Sequence, residues 1–216
     1  MKKSYNFYII TLFESDERVE NVKKLEATLK AKGYHVEIIQ AYYYKTVDIM
    51  DIMNKEGIMY TCRDRSLSMS QLGCFLSHRE AWKRIHQKMR RSSDVHIIIE
   101  DDMNVDCDMN VDCDFNIEYD AVILWRHPSQ INTPVTYVKE GLLHFYNQWG
   151  TCAYAVTPQC AKELLEIKEI DVPIDLLLYR DFYPNKKVYI TEKSPFVNLG
   201  YLGTNTQSIY KSWIYT

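Results

Sequence analysis

The run Val95–Glu100, VHIIIE, constrains this chain more than any other stretch. Val95, Ile97, Ile98 and Ile99 are β-branched and nearly continuous, which suits a strand buried on both faces within a largely parallel sheet. Asp101 and Asp102 follow Glu100 directly, so the apolar strand ends in consecutive carboxylates. In open α/β sheets ligands bind beyond the carboxyl ends of the strands, where acidic residues meet a ligand instead of bulk water. Alternation along extended backbone predicts Glu100 and Asp102 on one side and Asp101 on the other. Two carboxylates aimed the same way suit a hard divalent cation, Mn²⁺ or Mg²⁺, that holds a diphosphate. Taken alone, the triplet reads better as a solvated acidic turn or a helix N-cap.

The flanking pattern supports an α/β fold. Asn6 to Leu12 reads as a first strand and Ser15 to Ala31 as an amphipathic helix with Val19, Val22, Leu25, Ala27 and Leu29 inward. Gly33 ends that helix, and Tyr34 to Ala41 returns as a second strand, a βαβ opening with a right-handed parallel crossover. No GxGxxG follows the first strand, so a dinucleotide cofactor of the usual kind is not indicated. Arg18 fits either a phosphate-facing residue or a solvated arginine on a charged face. Thr46 to Met59 predicts a short helix and connector. Ser68 and Gln71 form a capping-box pattern that starts a helix near Met69, running to about Arg90. Cys74, Phe75, Trp82, Ile85 and Met89 share its apolar face, with His78 in the middle as a core histidine satisfied by one hydrogen bond. Gly73, Ser77 and Ala81 form a stripe of small residues that permits close approach by a strand, a loop or a ligand.

Beyond the carboxylates, MNVDCD occurs twice in succession, from Met103 to Asp114. The repeat is expected in a tolerant surface loop or extended hairpin. Asp106, Asp108 and Asn110 imitate the start of a calcium loop, but Val111 replaces the required glycine and Ile117 the bidentate glutamate, which rejects an EF-hand. Tyr119 to Trp125 predicts a strand, Val135 to Val138 with Leu142 to Tyr146 a hairpin around Glu140-Gly141, and Thr151 to Val156 a buried strand. Pro158 opens a helix that ends near Ile167. A second proline-led helix, VPIDLLLYRDF, carries Asp175 in its first turn, where dipole compensation also accounts for it. Val188 to Thr191 is expected as a last short strand before an irregular end.

A net charge of −3 with both signs spread along the chain leaves no electrostatic footprint for nucleic acid. The amino-terminal apolar run is short and passes directly into ESDERVE, so it predicts a strand and not a signal peptide. No stretch approaches the roughly 18 apolar residues of a membrane span, and the chain is expected to be soluble and cytoplasmic. Six cysteines without a CxxC pair, or a His pair at zinc spacing, point to free thiols in a reducing compartment.

RDRSLSMSQLGCFLSHREAW followed by IIIEDD resembles glycosyltransferase family 25, whose members carry a GCxxSH segment ahead of a strand that ends in an acidic, DxD-like triplet. The resemblance extends to Arg18 after the first strand, to GTCAYAVTPQCAKELL, and to PIDLLL from Pro173 to Leu178. It implies a GT-A-like, Rossmann-type α/β fold with a mixed, mainly parallel sheet flanked by helices. It also implies a single glycosyltransferase domain over residues 1–216, with a nucleotide-binding half at about 1–102 and an acceptor-side half at about 103–216. The implied activity is metal-dependent, inverting transfer of a hexose, galactose or glucose, from a UDP-sugar to a glycan or hydroxylated acceptor. Asp102 would then bind Mn²⁺ directly, and Glu100 would assist through the metal, the ribose or a water. Thr11, Arg18, Ser77, His78 and Asp101 would surround the nucleotide, with Ser77 and His78 shaping the site and Asp101 holding the turn. Asp175 is the first candidate for the base that takes the acceptor proton, and Asp171 the second. The chain departs from the family pattern at Gln71, where an acidic residue is frequent, and in the hexapeptide repeat.

Two rival readings have their own tests. A non-catalytic sugar-nucleotide or glycan-binding relic of the same fold would bind UDP without turnover. A phosphotransfer receiver domain, with Thr191 and Lys193 as its late partners, would place its acidic pair after the first strand, and here the triplet follows about half of the sheet elements.

Overall fold

The computed structural model describes residues 3–61, 67–88, 94–105, 115, 117–126, 136–144 and 151–199. Its centre is one eight-stranded sheet. β1 (Tyr5–Thr11) is followed by α1 (Asp16–Ala31) and β2 (His35–Gln40), which pairs with β1 in parallel. α2 (Ile49–Lys55), β3 (Met59–Tyr60) and α3 (Met69–Gln87) lead to β4 (Val95–Glu100), which joins the other side of β1, also in parallel. β5 (Met103–Val105), β6 (Ala121–Ile123) and the hairpin β7 (Tyr137–Lys139) and β8 (Leu142–His144) come next. They are followed by β9 (Ala153–Val156), α4 (Pro158–Leu165), β10 (Glu169–Ile170), α5 (Ile174–Leu177), β11 (Val188–Thr191) and β12 (Phe196–Asn198).

The sheet order is β2-β1-β4-β9-β6-β11-β8-β7. β2, β1, β4, β6, β11 and β7 run one way, with β9 and β8 against them, so the sheet is mixed and mainly parallel in direction. The chain leaves β1 toward β2 and then returns to β1's other side with β4. The crevice between the carboxyl ends of β1 and β4 is therefore the topological switch point, where open α/β sheets bind ligands.

Alternation along β4 sends Ile97 and Ile99 to the face covered by Val22, Leu25 and Leu29 of α1, and Ile98 to the face covered by Phe75, Trp82 and Ile85 of α3. Each such side chain stabilises by about 1.5–3 kcal/mol on burial. On α1 the inward stripe is Arg18, Val22, Leu25 and Leu29, at helical spacing. Ala27 is exposed, contrary to expectation, because it lies off that stripe, and Arg18 takes the inward position instead. The capping box of Ser68 and Gln71 opens α3 as expected. The small stripe on α3 admits a loop: a Cβ on Gly73 would stand 2.4 Å from the Tyr42 carbonyl oxygen, and Ser77 Oγ accepts from the Tyr42 N–H at 2.9 Å.

The tandem repeat departs from expectation where it is described. Met103 and Val105 are buried, and β5 pairs antiparallel with β12 in a two-stranded sheet. Its apolar positions alternate, which fits a half-buried strand better than a solvated loop. The calcium-loop mimic at Asp106, Asp108 and Asn110 lies outside the described residues, as do the outer ends of the expected hairpin and the end beyond Leu199. The chain after β11 still forms β12. No described helix is long and apolar enough to cross a membrane.

His96 points into the core from β4, with Nδ1 3.1 Å from Tyr8 Oη and Nε2 buried without a hydrogen bond. Burial lowers its pKa from 6.5 to about 4, with Asp94 opposing the shift and Lys88 adding to it. The unfolded chain takes up this proton near pH 6.5 and the folded chain only near pH 4. Stability is therefore full above the upper value and falls as pH drops through the window, by up to about 3 kcal/mol. Urea unfolding at about pH 7 and about pH 4.5 should show this loss, and His96→Gln should flatten it; an unchanged slope would assign the acid sensitivity elsewhere.

Candidate active site

The three carboxylates that end β4 go to three different sets of partners. Asp101 turns toward β1 and α1. Its Oδ1 and Oδ2 accept from Arg18 Nη1 at 2.8 and 3.1 Å, and Oδ2 accepts from the Leu12 N–H at 3.2 Å. The Thr11 hydroxyl also bonds this carboxylate. Both ion-pair partners are more than nine-tenths buried, so Arg18 is not a solvated arginine on a charged face. The turn itself is pinned, since Asn21 Nδ2 donates to the carbonyls of Asp101 and Met103, and the Leu199 N–H donates to that of Asp102.

Glu100 turns the opposite way, toward α3. His78 Nε2 lies 3.2 Å from its Oε1, and Thr151 Oγ1 donates to the same oxygen at 2.8 Å. Behind His78, Nδ1 lies 2.9 Å from Tyr154 Oη, which accepts from Trp82 Nε1 at 2.9 Å. With Trp82 on one acceptor position, the Tyr154 proton is directed at His78 Nδ1, which leaves Nε2–H to donate to Glu100. Burial opposes the charge on Glu100, but His78 and Thr151 outweigh it and hold the carboxyl below its ordinary pKa. His78 thus makes two side-chain hydrogen bonds where one was expected, and Ser77 serves the contact between α3 and the Tyr42 loop.

Asp102 is held by one oxygen. Oδ2 accepts from Asn198 Nδ2 of β12 at 2.9 Å, whereas Oδ1 is buried without a hydrogen bond. Burial, then the charges of Glu100 and Asp101, raise its pKa to about 7. Neighbouring carboxylates in one site separate in this way because both cannot easily ionise together.

Among the described residues, two groups bring three candidate ligand atoms within 4.8 Å of one another: Glu100, Asp102 and Cys152, and Cys74, His78 and Glu100. Burial and the nearby carboxylates push both thiols well above their ordinary range. Asp175, at the start of α5, feels the charges of Glu100 and His78, and its own charge acts on both cysteines. Its own pKa is raised by burial against the pull of backbone N–H groups. Asp171 is engaged differently, accepting from Arg180 Nη2 at 3.0 Å. Phe13, two residues beyond the end of β1, is exposed at φ 52°, a positive angle that no other described non-glycine residue adopts.

The profile of glycosyltransferase family 25, described as an LPS biosynthesis protein family, matches residues 4–178. The chain belongs to glycosyltransferase family 25. A family 25 member from Drosophila melanogaster is 25% identical over 206 residues, 89% of this chain and 33% of that protein. Procollagen galactosyltransferase 1-B from Xenopus laevis is 25% identical over 189 residues, 79% of this chain and 30% of that protein. The chain thus spans about a third of the length of these curated relatives. A glycosyltransferase involved in glycosylation of the major capsid of PBCV-1 superposes with a TM-score of 0.52 at 11% identity, covering 97% of this chain and 98% of that one, which shows a shared fold.

In this family 25 chain, Thr151, Tyr154, Asn198, Cys152 and Cys74 complete the site without having been singled out as site residues by sequence reasoning. Thr151 and Tyr154 depend on β9 running antiparallel beside β4, and Asn198 on the pairing of β12 with β5. The available signals were the Cys74-to-His78 spacing on α3 and the Thr151-Cys152 step before a strand.

The ion pair of Arg18 and Asp101 should be structural. Arg18→Met would leave Asp101 buried and unpaired, at a cost of about 3–5 kcal/mol in chemical denaturation. Arg18→Met with Asp101→Leu should recover most of that loss, and a single-variant cost below about 1 kcal/mol would contradict this role.

Proposed function

We propose that this chain is a metal-dependent, inverting glycosyltransferase that moves a hexose, galactose or glucose, from a UDP-sugar to a hydroxyl of a glycan or hydroxylated acceptor. One observation carries the reading: Asp102 Oδ1 is buried without a hydrogen bond, beside Glu100, at the switch point of the sheet. An unsatisfied carboxylate oxygen beside a second carboxylate is costly without a cation and fits Mn²⁺ or Mg²⁺, which take oxygen ligands and commonly use one or two carboxylates plus substrate phosphates. The names of relatives support the sugar and the acceptor, one being a procollagen galactosyltransferase and the family being described by LPS biosynthesis.

When bound, the cation would neutralise the charge that develops on the leaving diphosphate. The chain's own residues do the rest. Asn198 fixes Asp102 by Oδ2 so that Oδ1 is presented to the site, and His78 with Thr151 keeps Glu100 ionised and oriented. Arg18 and Thr11 act through Asp101, holding the loop after β1 against the end of β4. Asp175 takes the acceptor proton, because its raised pKa and its closeness to the carboxylates suit a general base. Asp171 is the weaker candidate, since its carboxylate is occupied by Arg180.

A panel of UDP-hexoses assayed with Mn²⁺ and with chelator tests this reading. Turnover of UDP-galactose or UDP-glucose should require the cation, and Asp102→Asn should lower it at least about 100-fold. Equal turnover in that variant would remove the metal assignment, and UDP binding with no turnover of any donor would favour the relic. Asp175→Asn should lower the rate of transfer by about 10²- to 10⁴-fold with the donor KM nearly unchanged, while Asp171→Asn should lower it much less.

A further inference from the structure

We propose that Cys74, His78 and Glu100 form a second cation site, for a thiophilic divalent ion such as Zn²⁺, which shares Glu100 with Asp102 and makes zinc an inhibitor of the manganese-supported reaction. Cys74 and His78 stand one helical turn apart on α3, so their side chains share a face. Their candidate ligand atoms lie within 4.8 Å of each other and of a Glu100 oxygen. The distance from His78 Nε2 to Glu100 Oε1, 3.2 Å, already matches the edge of a tetrahedral ion, about 3.3 Å for zinc bonds of about 2.0–2.1 Å. The sulfur needs an edge of about 3.6 Å, a movement within reach of one cysteine rotamer. Cys74 is a free thiol, and the set of sulfur, imidazole and carboxylate suits zinc far better than manganese.

The remaining hydrogen bonds fit an ion in this position. If the Tyr154 hydroxyl turns its own proton away, its Oη can accept from His78 Nδ1, which leaves the Nε2 lone pair for the metal, while Thr151 donates to the same Glu100 oxygen that faces His78. On binding, the thiol proton goes to solvent, the imidazole proton moves from Nε2 to Nδ1, and sulfur and Nε2 each donate a pair to the ion. Three protein donors leave one tetrahedral position open. Because Glu100 serves both groups, an ion on the thiol side withdraws one of the two carboxylates offered to the hard cation. The zinc site itself stands on its own geometry, and its inhibitory effect rests on the function proposed above.

Co²⁺ is the probe, because a thiolate ligand to it produces a charge-transfer absorption band that oxygen ligands do not. Titrating the full chain with Co²⁺ should produce that band. It should persist in Asp102→Asn and Cys152→Ser, disappear in Cys74→Ser and Cys74→Ala, and be displaced by Zn²⁺ but not by Mn²⁺. No band in the parent, a band that survives both Cys74 substitutions, or a band lost with Cys152 would overturn the site. In the Mn²⁺-supported assay, Cys74→Ser should need at least about tenfold more Zn²⁺ for half-inhibition relative to its own uninhibited rate. Equal sensitivity would overturn the inhibitory role. Failure of every UDP-sugar to turn over would count against the functional reading and would overturn the inhibitory role with it, while the cobalt band alone decides the site.

Discussion

Successive side chains of an extended strand cannot share a face, and that constraint organises the carboxyl end of β4. Ile99 and Asp101 fall on the α1 side, Ile98 and Glu100 on the α3 side, so one helix receives a carboxylate that it must neutralise and the other receives one that it must orient. Arg18 meets the first demand from within the apolar stripe of α1, and His78 meets the second from within the apolar face of α3. Both would be anomalies in a purely hydrophobic interface. Each instead marks where the sheet ends and the site begins.

The remaining carboxylate, Asp102, carries the electrostatic strain. Two charged carboxylate oxygens within 4.8 Å repel by at least about 3.5 kcal/mol at an effective dielectric constant of about 20. Burial adds to the cost, and the site divides it unequally. Glu100 stays ionised under two hydrogen bonds, while Asp102, with one oxygen unsatisfied, is driven up to about 7. The pinned turn of Asn21 and Leu199 prevents the chain from relaxing that arrangement by swinging Asp102 into solvent. A protein that holds a carboxylate under such strain is preorganised for positive charge.

Much of this was legible in the sequence because it depends on local periodicity. The β-branched run Val95–Ile99, the capping box at Ser68 and Gln71, and the separation of Asp101 from its neighbours all follow from side-chain spacing. Long-range pairing was not legible. Nothing local says that β9 runs antiparallel between β4 and β6, so Thr151 and Tyr154 could not be assigned to Glu100 and His78. The partner of Arg18 is 83 residues away, and neither a solvated nor a phosphate-facing arginine anticipates a buried ion pair. The repeat was expected in a surface loop or extended hairpin because repetition suggests tolerance, and at Met103–Val105 the alternation of buried Met103 and Val105 makes a strand as soon as β12 supplies a partner. The family resemblance carried the functional reading further than local physics did. The triplet alone remained compatible with a solvated acidic turn.

On the proposed function, adjacent carboxylates at the end of β4 have opposite roles, Asp101 in stability and Asp102 in cation binding. The most direct measurement sets Asp101→Asn beside Asp102→Asn, each read for metal-free stability by chemical denaturation and for Mn²⁺ binding to the folded protein by electron paramagnetic resonance. Asp101→Asn should lose stability and keep Mn²⁺ binding, whereas Asp102→Asn should keep or gain stability and lose Mn²⁺ binding at least about tenfold. The reverse pattern, or equal effects of the two variants on both measurements, would contradict it.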